Sequence, residues 1–182
     1  AQVRRDVVQL LGLRDPVVQC TGFDRPNLFF QVEKPADKDS ALLAHLREAE
    51  GQSGIVYCAT RKTVEEVCLS LNAAGFSAVR YHAGLPDEER RRNQEDFLYD
   101  RANVMVATNA FGMGIDKSNV SFVIHYNMPK NMEGYYQEAG RAGRDGSPAK
   151  CILLYSGQDV VTNRFLIRKG SEENEELDEE QR

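Results

Sequence analysis

Two arginines stand among three glycines in the stretch QEAGRAGRDG, Gln137 to Gly146. Arg141 and Arg144 are three residues apart, and each guanidinium is a planar fork of donors that fits the oxygens of a phosphate. On a helix that begins near Met132, this spacing puts both arginines on one face. The glycines beside them remove side-chain bulk, so a ligand and the backbone can approach closely. The stretch therefore predicts a site for phosphate groups.

A phosphate loop of the form GxxxxGK[ST] occurs nowhere in the chain. We therefore expect a nucleotide to be held mainly by another domain, with the two arginines reaching across a cleft. The alternative is that Arg141 and Arg144 form ordinary surface ion pairs with Glu138 or Asp145. Three glycines inside a helix would each cost about 1 kcal/mol relative to alanine, which weighs against that alternative.

A second group of candidate residues follows three strand-like runs. These residues are Thr60 and Arg61 after GIVYCA, Arg90 after SAVRYH, and Thr108 and Asn109 at the end of NVMVAT. Hydroxyl groups, helix-start N–H groups and positive side chains all bind anions such as a nucleic-acid backbone. The alternatives are that Thr60 is an ordinary helix N-cap and that Arg90 lies on a solvated helix face.

The elements that must position these residues alternate between strands and helices. Six short apolar runs have the composition of buried strands: LFFQVE, GIVYCA, SAVRYH, NVMVAT, VSFVIHY and KCILLY. The clearest helix spans Arg61 to Ala74, where apolar residues recur at offsets 0, 3, 4 and 7. We predict an α/β, doubly wound domain with a mostly parallel central sheet and helices on both faces. Ligands of such sheets bind beyond the carboxyl ends of the strands.

Composition limits the class of protein. The chain has 182 residues, of which 41% are hydrophobic and 28% charged, as expected for one globular domain. It has no membrane-spanning or secretory pattern, so we expect a soluble intracellular protein. The four cysteines form no CxxC pair and are predicted to be reduced core thiols, with no metal site. The net charge is −5, but seven of the 28 acidic residues lie in 170–182, so the rest is close to neutral.

The stretch DEER, Asp87 to Arg90, looks like the acidic metal box of an ATPase. It follows Pro86 instead of a buried strand, and acidic residues in a first helical turn complement the helix dipole. We therefore predict the start of a helix here.

The run from Gly54 to Tyr155 resembles the second RecA-like domain of a superfamily 2 helicase, and the RecQ family in particular. The resemblance rests on four ordered motifs: IVYCATRKTVEE, YHAGLPDEER, VMVATNAFGMGID and YYQEAGRAGRDG. It implies an ATP-dependent DNA helicase that moves 3′ to 5′ and serves DNA replication, recombination and repair. DEAD-box RNA helicases are the alternative, but they carry HRxGRxxR where this chain has Gln137 and Glu138. A non-catalytic interaction module that keeps the fold is another.

The resemblance also implies residue roles. Arg144 would be the arginine finger, Arg141 a second contact to the γ-phosphate, and Gln137 an organiser of that catalytic site. Gly114 and Asp116 would face the nucleotide. The strand-binding residues would be Thr60, Arg61, Arg90, Thr108 and Asn109.

The same resemblance implies a division of the chain. Residues 1–25 would end the first RecA-like domain and link it to the second, residues 26–158 would form the second, and residues 159–182 a helical, acidic linker. The first domain would hold most of the ATP and Mg²⁺, and zinc would belong to a further module. The expected partners are single-stranded and duplex DNA and the first domain, with no membrane and a monomeric fragment. The location would be the cytoplasm and nucleoid of a bacterium, or the nucleus of a eukaryote.

Overall fold

The computed structural model describes residues 2–17, 24–112 and 116–165. The helices and strands follow in this order: α1 (Gln2–Leu10), β1 (Leu28–Glu33), α2 (Lys38–Glu48), β2 (Ser53–Tyr57), α3 (Arg61–Ala73), β3 (Ala78–Tyr81), α4 (Asp87–Leu98), β4 (Val104–Ala107), β5 (Val120–His125), α5 (Met132–Ala139) and β6 (Ala149–Leu154). A further helical segment covers 157–165.

The six strands form one sheet in the order β1-β6-β5-β2-β4-β3, and every neighbouring pair is parallel. In a parallel sheet all carboxyl ends lie at one edge, so the loops after β2, β3 and β4 lie side by side. The predicted fold class is confirmed. Each of the six predicted strands is present within two residues of its expected bounds, and β1 covers the predicted run LFFQVE. The predicted burial is wrong for β1, which is an edge strand with Phe29, Phe30 and Val32 exposed.

The hydrophobic core has two layers because strand residues alternate between the faces of the sheet. On one face, Val56 and Ile124 pack with buried residues of α2 and α3, such as Leu42 and Leu71. On the other face, the buried cluster includes residues of α4, the loop after β4 and α5. The described cysteines Cys58, Cys68 and Cys151 are buried and free, and burial raises the pKa of the Cys68 thiol to about 11.

The stretch Asp87 to Arg90 forms the first turn of α4, as predicted. Its carboxylates are engaged locally, since Glu89 accepts a hydrogen bond of 2.9 Å from Arg80. In the described part of the chain, no helix is long and apolar enough to cross a membrane.

The structure corrects the prediction that Arg141 and Arg144 share a helical face. Helix α5 ends at Ala139 with Gly140 as its C-cap, and residues 141–145 form turns. Gly143 has a φ of 56°, a left-handed conformation that favours glycine. Contrary to the prediction, these glycines therefore do not lie inside a helix but end α5 and shape the turn after it, so they carry no helical cost. We call residues 140–146 the arginine turn.

Candidate functional site

The arginine turn lies against the start of β5. The Gly143 N–H donates to the Val120 carbonyl over 2.8 Å, and Val120 is the first residue of that strand. Ala142 is fully buried in the core beside it. The turn is thus fixed to the amino end of the sheet, whereas Thr60 and Thr108 follow the carboxyl ends of their strands. The backbone of the arginine turn is therefore separated from the second predicted group of residues.

Arg141 joins the arginine turn to the loop after β4. Its Nη1 donates to the Gly112 carbonyl over 2.6 Å, and a Cβ built on Gly112 would lie 2.2 Å from Nη2. Only glycine leaves room for this contact. The Tyr57 hydroxyl lies beside the same guanidinium and donates to the Phe111 carbonyl over 2.9 Å. Burial raises the pKa of Tyr57, so this phenol stays neutral and serves as a donor.

The Nε atom of Arg141 is buried and has no hydrogen-bond partner among the described residues. A buried donor without an acceptor is costly, and a guanidinium keeps its charge at all ordinary pH values. An anionic acceptor such as a phosphate oxygen fits such an atom.

Arg144 is the more exposed of the two arginines, with 37% of its side chain accessible. Its Nη1 is 3.7 Å from an Asp116 carboxylate oxygen, and the Asp116 side chain is 97% exposed. Such an exposed pair is weak and can be exchanged for another anion. Gln137 is exposed on α5. Gly114 lies outside the described residues.

The acidic neighbours of the arginines have other partners. The Oε2 atom of Glu138 lies 2.8 Å from Nε2 of the fully buried His125, a distance that fits a hydrogen bond. The His125 ring stacks on Tyr57 with 5.4 Å between centroids. Asp145 accepts a hydrogen bond from the Ser147 N–H over 2.9 Å, which stabilises the end of the arginine turn. The Glu138 carboxylate is therefore paired with a core histidine, and the structure shows no ion pair between it and Arg141 among the described residues.

Three loops meet at the carboxyl edge of the sheet, as the sequence predicted. Tyr57 and Tyr81 both pair with Ala107, so the residues that follow β2, β3 and β4 are neighbours. Arg61 reaches from the start of α3 to the loop after β3, where its Cδ and Nη1 lie 3.1 Å from a Cβ built on Gly84. We call Thr60, Arg61, Arg90, Thr108 and Asn109 the edge residues.

The edge residues also have local structural roles. Thr60 is the N-cap of α3, where its side chain accepts from the Thr63 N–H over 3.1 Å. Arg90 forms an ion pair with Asp87 in the first turn of α4. Thr108 is only 9% exposed and its hydroxyl accepts a long hydrogen bond of 3.4 Å from Ala110. Capping leaves other N–H groups of the α3 start free of helical partners, so these roles are compatible with binding an anion.

Sequence reasoning missed a fourth loop at this edge, the polar stretch NMPKN from Asn127 to Asn131. It lines a cavity of about 230 Å³ together with Ala59, Asn109 and Glu138. Asn127 accepts from the Ala59 N–H over 3.0 Å, which ties the loop to the start of α3. The signal was present, because the run VSFVIHY was predicted as a parallel strand and polar residues follow its end directly.

A metal site has no support in the described part of the chain, where no three His, Cys, Asp or Glu side chains are grouped to hold an ion.

Comparisons with known proteins show which family the chain resembles. Residues 37–146 match the family described as helicase conserved C-terminal domain. The chain is 46% identical over 175 residues to the ATP-dependent DNA helicase RecQ of Bacillus subtilis (strain 168), which covers 96% of this chain and 30% of the relative. It is 44% identical over 170 residues to the ATP-dependent DNA helicase hus2/rqh1 of Schizosaccharomyces pombe, which covers 92% of this chain and 13% of the relative.

Solved structures give the same architecture. A dbp5 variant of S. cerevisiae, bound to gle1 and ip6, superposes with a TM-score of 0.72 at 25% identity, over 93% of this chain and 45% of that one. The RNA-helicase Prp28 of Chaetomium thermophilum, bound to ADP, gives a TM-score of 0.63 at 26% identity, over 79% of this chain and 37% of that one. Fold and matched family define a helicase C-terminal domain of the RecA-like type.

Within that class the chain belongs to the RecQ family of superfamily 2. It spans only about a third or less of the length of the relatives named above.

Proposed function

We propose that this chain is the second RecA-like motor domain of an ATP-dependent DNA helicase that moves 3′ to 5′ along one strand. Arg144 is its arginine finger. The observation that carries the proposal is the exposed guanidinium of Arg144 on a turn anchored to β5, in a chain whose RecQ relatives are named ATP-dependent DNA helicases.

ATP fits the arginine turn as a substrate shared with another domain. Arg144 donates to the γ-phosphate oxygens as charge develops on them, and it exchanges the weak Asp116 pair for this contact. Arg141 supplies its Nε, which has no partner among the described residues, as a second donor. Gln137 helps to organise the site, and Gly114 is proposed to face the nucleotide. The first RecA-like domain supplies the phosphate loop and the carboxylates for Mg²⁺, and zinc belongs to a separate module.

Single-stranded DNA binds at the edge residues, through phosphates rather than bases. The N–H groups at the starts of α3 and α4, with Arg61 and Arg90 beside them, are donors suited to a backbone of repeating phosphates. DNA is favoured over RNA because the RecQ relative is 46% identical, whereas the RNA-helicase named above is 26% identical.

We also propose that the domain boundaries of the chain lie at residues 25 and 158. Leu10 at the end of helix α1 is 84% exposed and the following Leu11 is 68% exposed, which supports the assignment of α1 to the first domain. Beyond residue 158, Asp159 and Asn163 still contact the second domain, since Asn163 donates to the Met128 and Pro129 carbonyls over 3.1 Å. The protein would act in the nucleoid of a bacterium or the nucleus of a eukaryote, and this fragment alone would be a monomer.

Steady-state ATP hydrolysis tests the proposal on two proteins, this chain alone and the full-length protein, each with and without single-stranded DNA. We expect hydrolysis stimulated by DNA only from the full-length protein. Unwinding of duplexes with a 3′ or a 5′ single-stranded tail then tests polarity, and only the 3′ tail should support it. Robust hydrolysis by this chain alone would contradict a composite site. A folded full-length protein with no hydrolysis would instead support the interaction module.

A further inference from the structure

Side chains that precede β1 hold the backbone of the arginine turn. Arg25 Nη2 donates to the carbonyls of Ala142 and Gly143 over 3.0 and 2.7 Å, and its Nη1 is 3.4 Å from the Gly140 carbonyl. Asn27 Nδ2 donates to the carbonyls of Gly143 and Ser147 over 2.8 and 2.9 Å. These contacts join segments that are more than 110 residues apart in sequence.

These hydrogen bonds provide donors for carbonyl groups of the turn. After a helix ends, its last carbonyl groups have no helical donor, and a turn gives few replacements. All acceptors that the structure describes for Arg25 are uncharged: three of them are carbonyls of the turn and one is the Asn27 side chain. The fork of an arginine suits this task because its donors diverge in one plane.

Gly143 is the centre of the arrangement. A Cβ on Gly143 would lie 2.5 Å from Asn27 Nδ2 and 2.7 Å from the Ser147 carbonyl oxygen, and its φ is 56°. Its N–H is bonded to Val120 of β5, and its carbonyl accepts from both Arg25 and Asn27. The Gly143 carbonyl belongs to the peptide bond that leads into Arg144. The backbone on which the exposed guanidinium stands is therefore fixed from both sides.

We propose that Arg25, assisted by Asn27, is a positioning residue for Arg144, holding the arginine turn in the geometry that phosphoryl transfer requires. The inference rests on the proposed function and extends it to the segment between α1 and β1. Arg25 touches no reacting atom. Its effect is on the alignment of the finger, and a misplacement of about 1 Å can cost a hundredfold in rate.

A double-mutant cycle in the full-length protein tests the inference. Arg25→Ala should lower kcat for DNA-stimulated ATP hydrolysis about 10- to 100-fold per folded enzyme, with KM for ATP changed less than about threefold. Combined with Arg144→Ala, it should add less than about twofold, because the finger it positions is already gone. Arg25→Lys should recover only part of the rate, since an ammonium cannot span the carbonyls as a fork. The matched control is Arg101→Ala, an arginine paired on the surface with Asp96, which should leave kcat unchanged.

The outcomes distinguish the positioning role of Arg25 from the finger role of Arg144. If Arg25→Ala and Arg144→Ala reduce kcat independently, so that their effects multiply, positioning is wrong while the arginine finger stands. If Arg144→Ala leaves kcat unchanged, the finger assignment fails and the inference fails with it. A purely structural Arg25 would lower the unfolding temperature with unchanged kcat per folded molecule, which also overturns the inference. If Arg25→Ala does not fold, Asn27→Ala carries the same cycle, with an expected kcat loss of about fivefold.

Discussion

The guanidinium of Arg141 lies 2.6 Å from the carbonyl oxygen of Gly112, and this hydrogen bond joins the arginine turn to the loop after β4. The arginine turn carries residues proposed to contact the nucleotide. The loop after β4 begins with Thr108 and Asn109, which are proposed to contact the DNA strand. We therefore expect a displacement of one segment to alter the position of the other, and this expectation can be tested by mutation.

Gly112→Ala should break that link without unfolding the domain. The new Cβ would take the place of Arg141 Nη2, the end of a flexible side chain that can move aside. We expect a loss of about 1 kcal/mol or less in the free energy of unfolding, for one hydrogen bond, and a fall of about tenfold or more in DNA-stimulated kcat. Thermal unfolding and steady-state hydrolysis of the full-length protein measure the two effects.

Two glycines serve as controls for Gly112→Ala. Gly157→Ala places its Cβ in open space at the start of a helical segment, so it should leave the rate unchanged and stabilise the domain by about 1 kcal/mol or less. Gly54→Ala places its Cβ 2.1 Å from the Phe122 ring and should destabilise the domain by about 1–3 kcal/mol. A kcat for Gly112→Ala equal to that of Gly157→Ala would show that the Arg141 contact is not needed for turnover.

Binding of single-stranded DNA should depend on Arg61 and Arg90 and on salt. Each phosphate neutralised releases counterions, so the log of the association constant should fall with the log of salt concentration by about 0.7 per contact. We expect Arg61→Ala with Arg90→Ala to weaken binding and to reduce the slope by about 1.4, which is twice that value. Fluorescence anisotropy of a labelled oligothymidine at several salt concentrations is the measurement.

Arg101 is the matched control for this binding experiment, because it lies near the start of β4, at the opposite end of the sheet. Arg101→Ala should leave both affinity and slope unchanged. If the edge variants bind as the unmodified protein does, or if all three arginines contribute equally, the strand does not lie at the edge residues.

Asp159 should stabilise the domain in a way that depends on pH. Burial alone would raise the pKa of this carboxyl, but hydrogen bonds from Lys38, Asn127 and Ser156 outweigh it and lower the pKa below the ordinary 3.8. Lys38 Nζ is 2.6 Å away and Asp159 is 5% exposed. Asp159→Asn should therefore lower the free energy of unfolding by about 2 kcal/mol at pH 7.

The sign of the pH dependence follows from the lowered pKa. A carboxylate with a depressed native pKa stabilises the fold above its unfolded pKa, and the contribution is lost as pH falls through the native value. The difference between the unmodified protein and Asp159→Asn should thus be constant near neutrality and shrink below about pH 4. Urea unfolding from pH 7 to pH 3 tests this. Asp96→Asn, which breaks only the surface pair with Arg101, should cost about 1 kcal/mol or less. If the difference in free energy of unfolding between the unmodified protein and Asp159→Asn did not change with pH, the lowered pKa of Asp159 would be contradicted.

The strands and the edge loops could be predicted because local patterns determine them. Apolar runs such as GIVYCA and VSFVIHY form buried strands of a parallel sheet, and the loops after such strands meet at one edge by topology alone. The start of α4 could also be predicted from local sequence, because Pro86 followed by acidic residues is typical of a helix start.

The geometry of the arginine turn could not be predicted because it depends on contacts between distant segments. The spacing of Arg141 and Arg144 suits a helix. Only the tertiary structure shows that Gly143 takes a left-handed conformation and lies against the Asn27 side chain. The hydrogen bonds of Arg25 join positions 117 and 118 residues apart, for which a single sequence carries no signal. The order of the strands in the sheet is non-local for the same reason.

The central claim is that Arg144 acts on the transition state of ATP hydrolysis. Pre-steady-state ATP binding and single-turnover hydrolysis by full-length Arg144→Ala separate binding from chemistry. We predict a catalytic rate constant lower by about 10² to 10⁴, an ATP affinity changed less than about tenfold, and little recovery in Arg144→Lys. Unaltered affinity for single-stranded DNA is expected as well, because the edge residues lie at the other end of the sheet. A variant that no longer binds ATP, or that hydrolyses it at the rate of the unmodified protein, would contradict the claim.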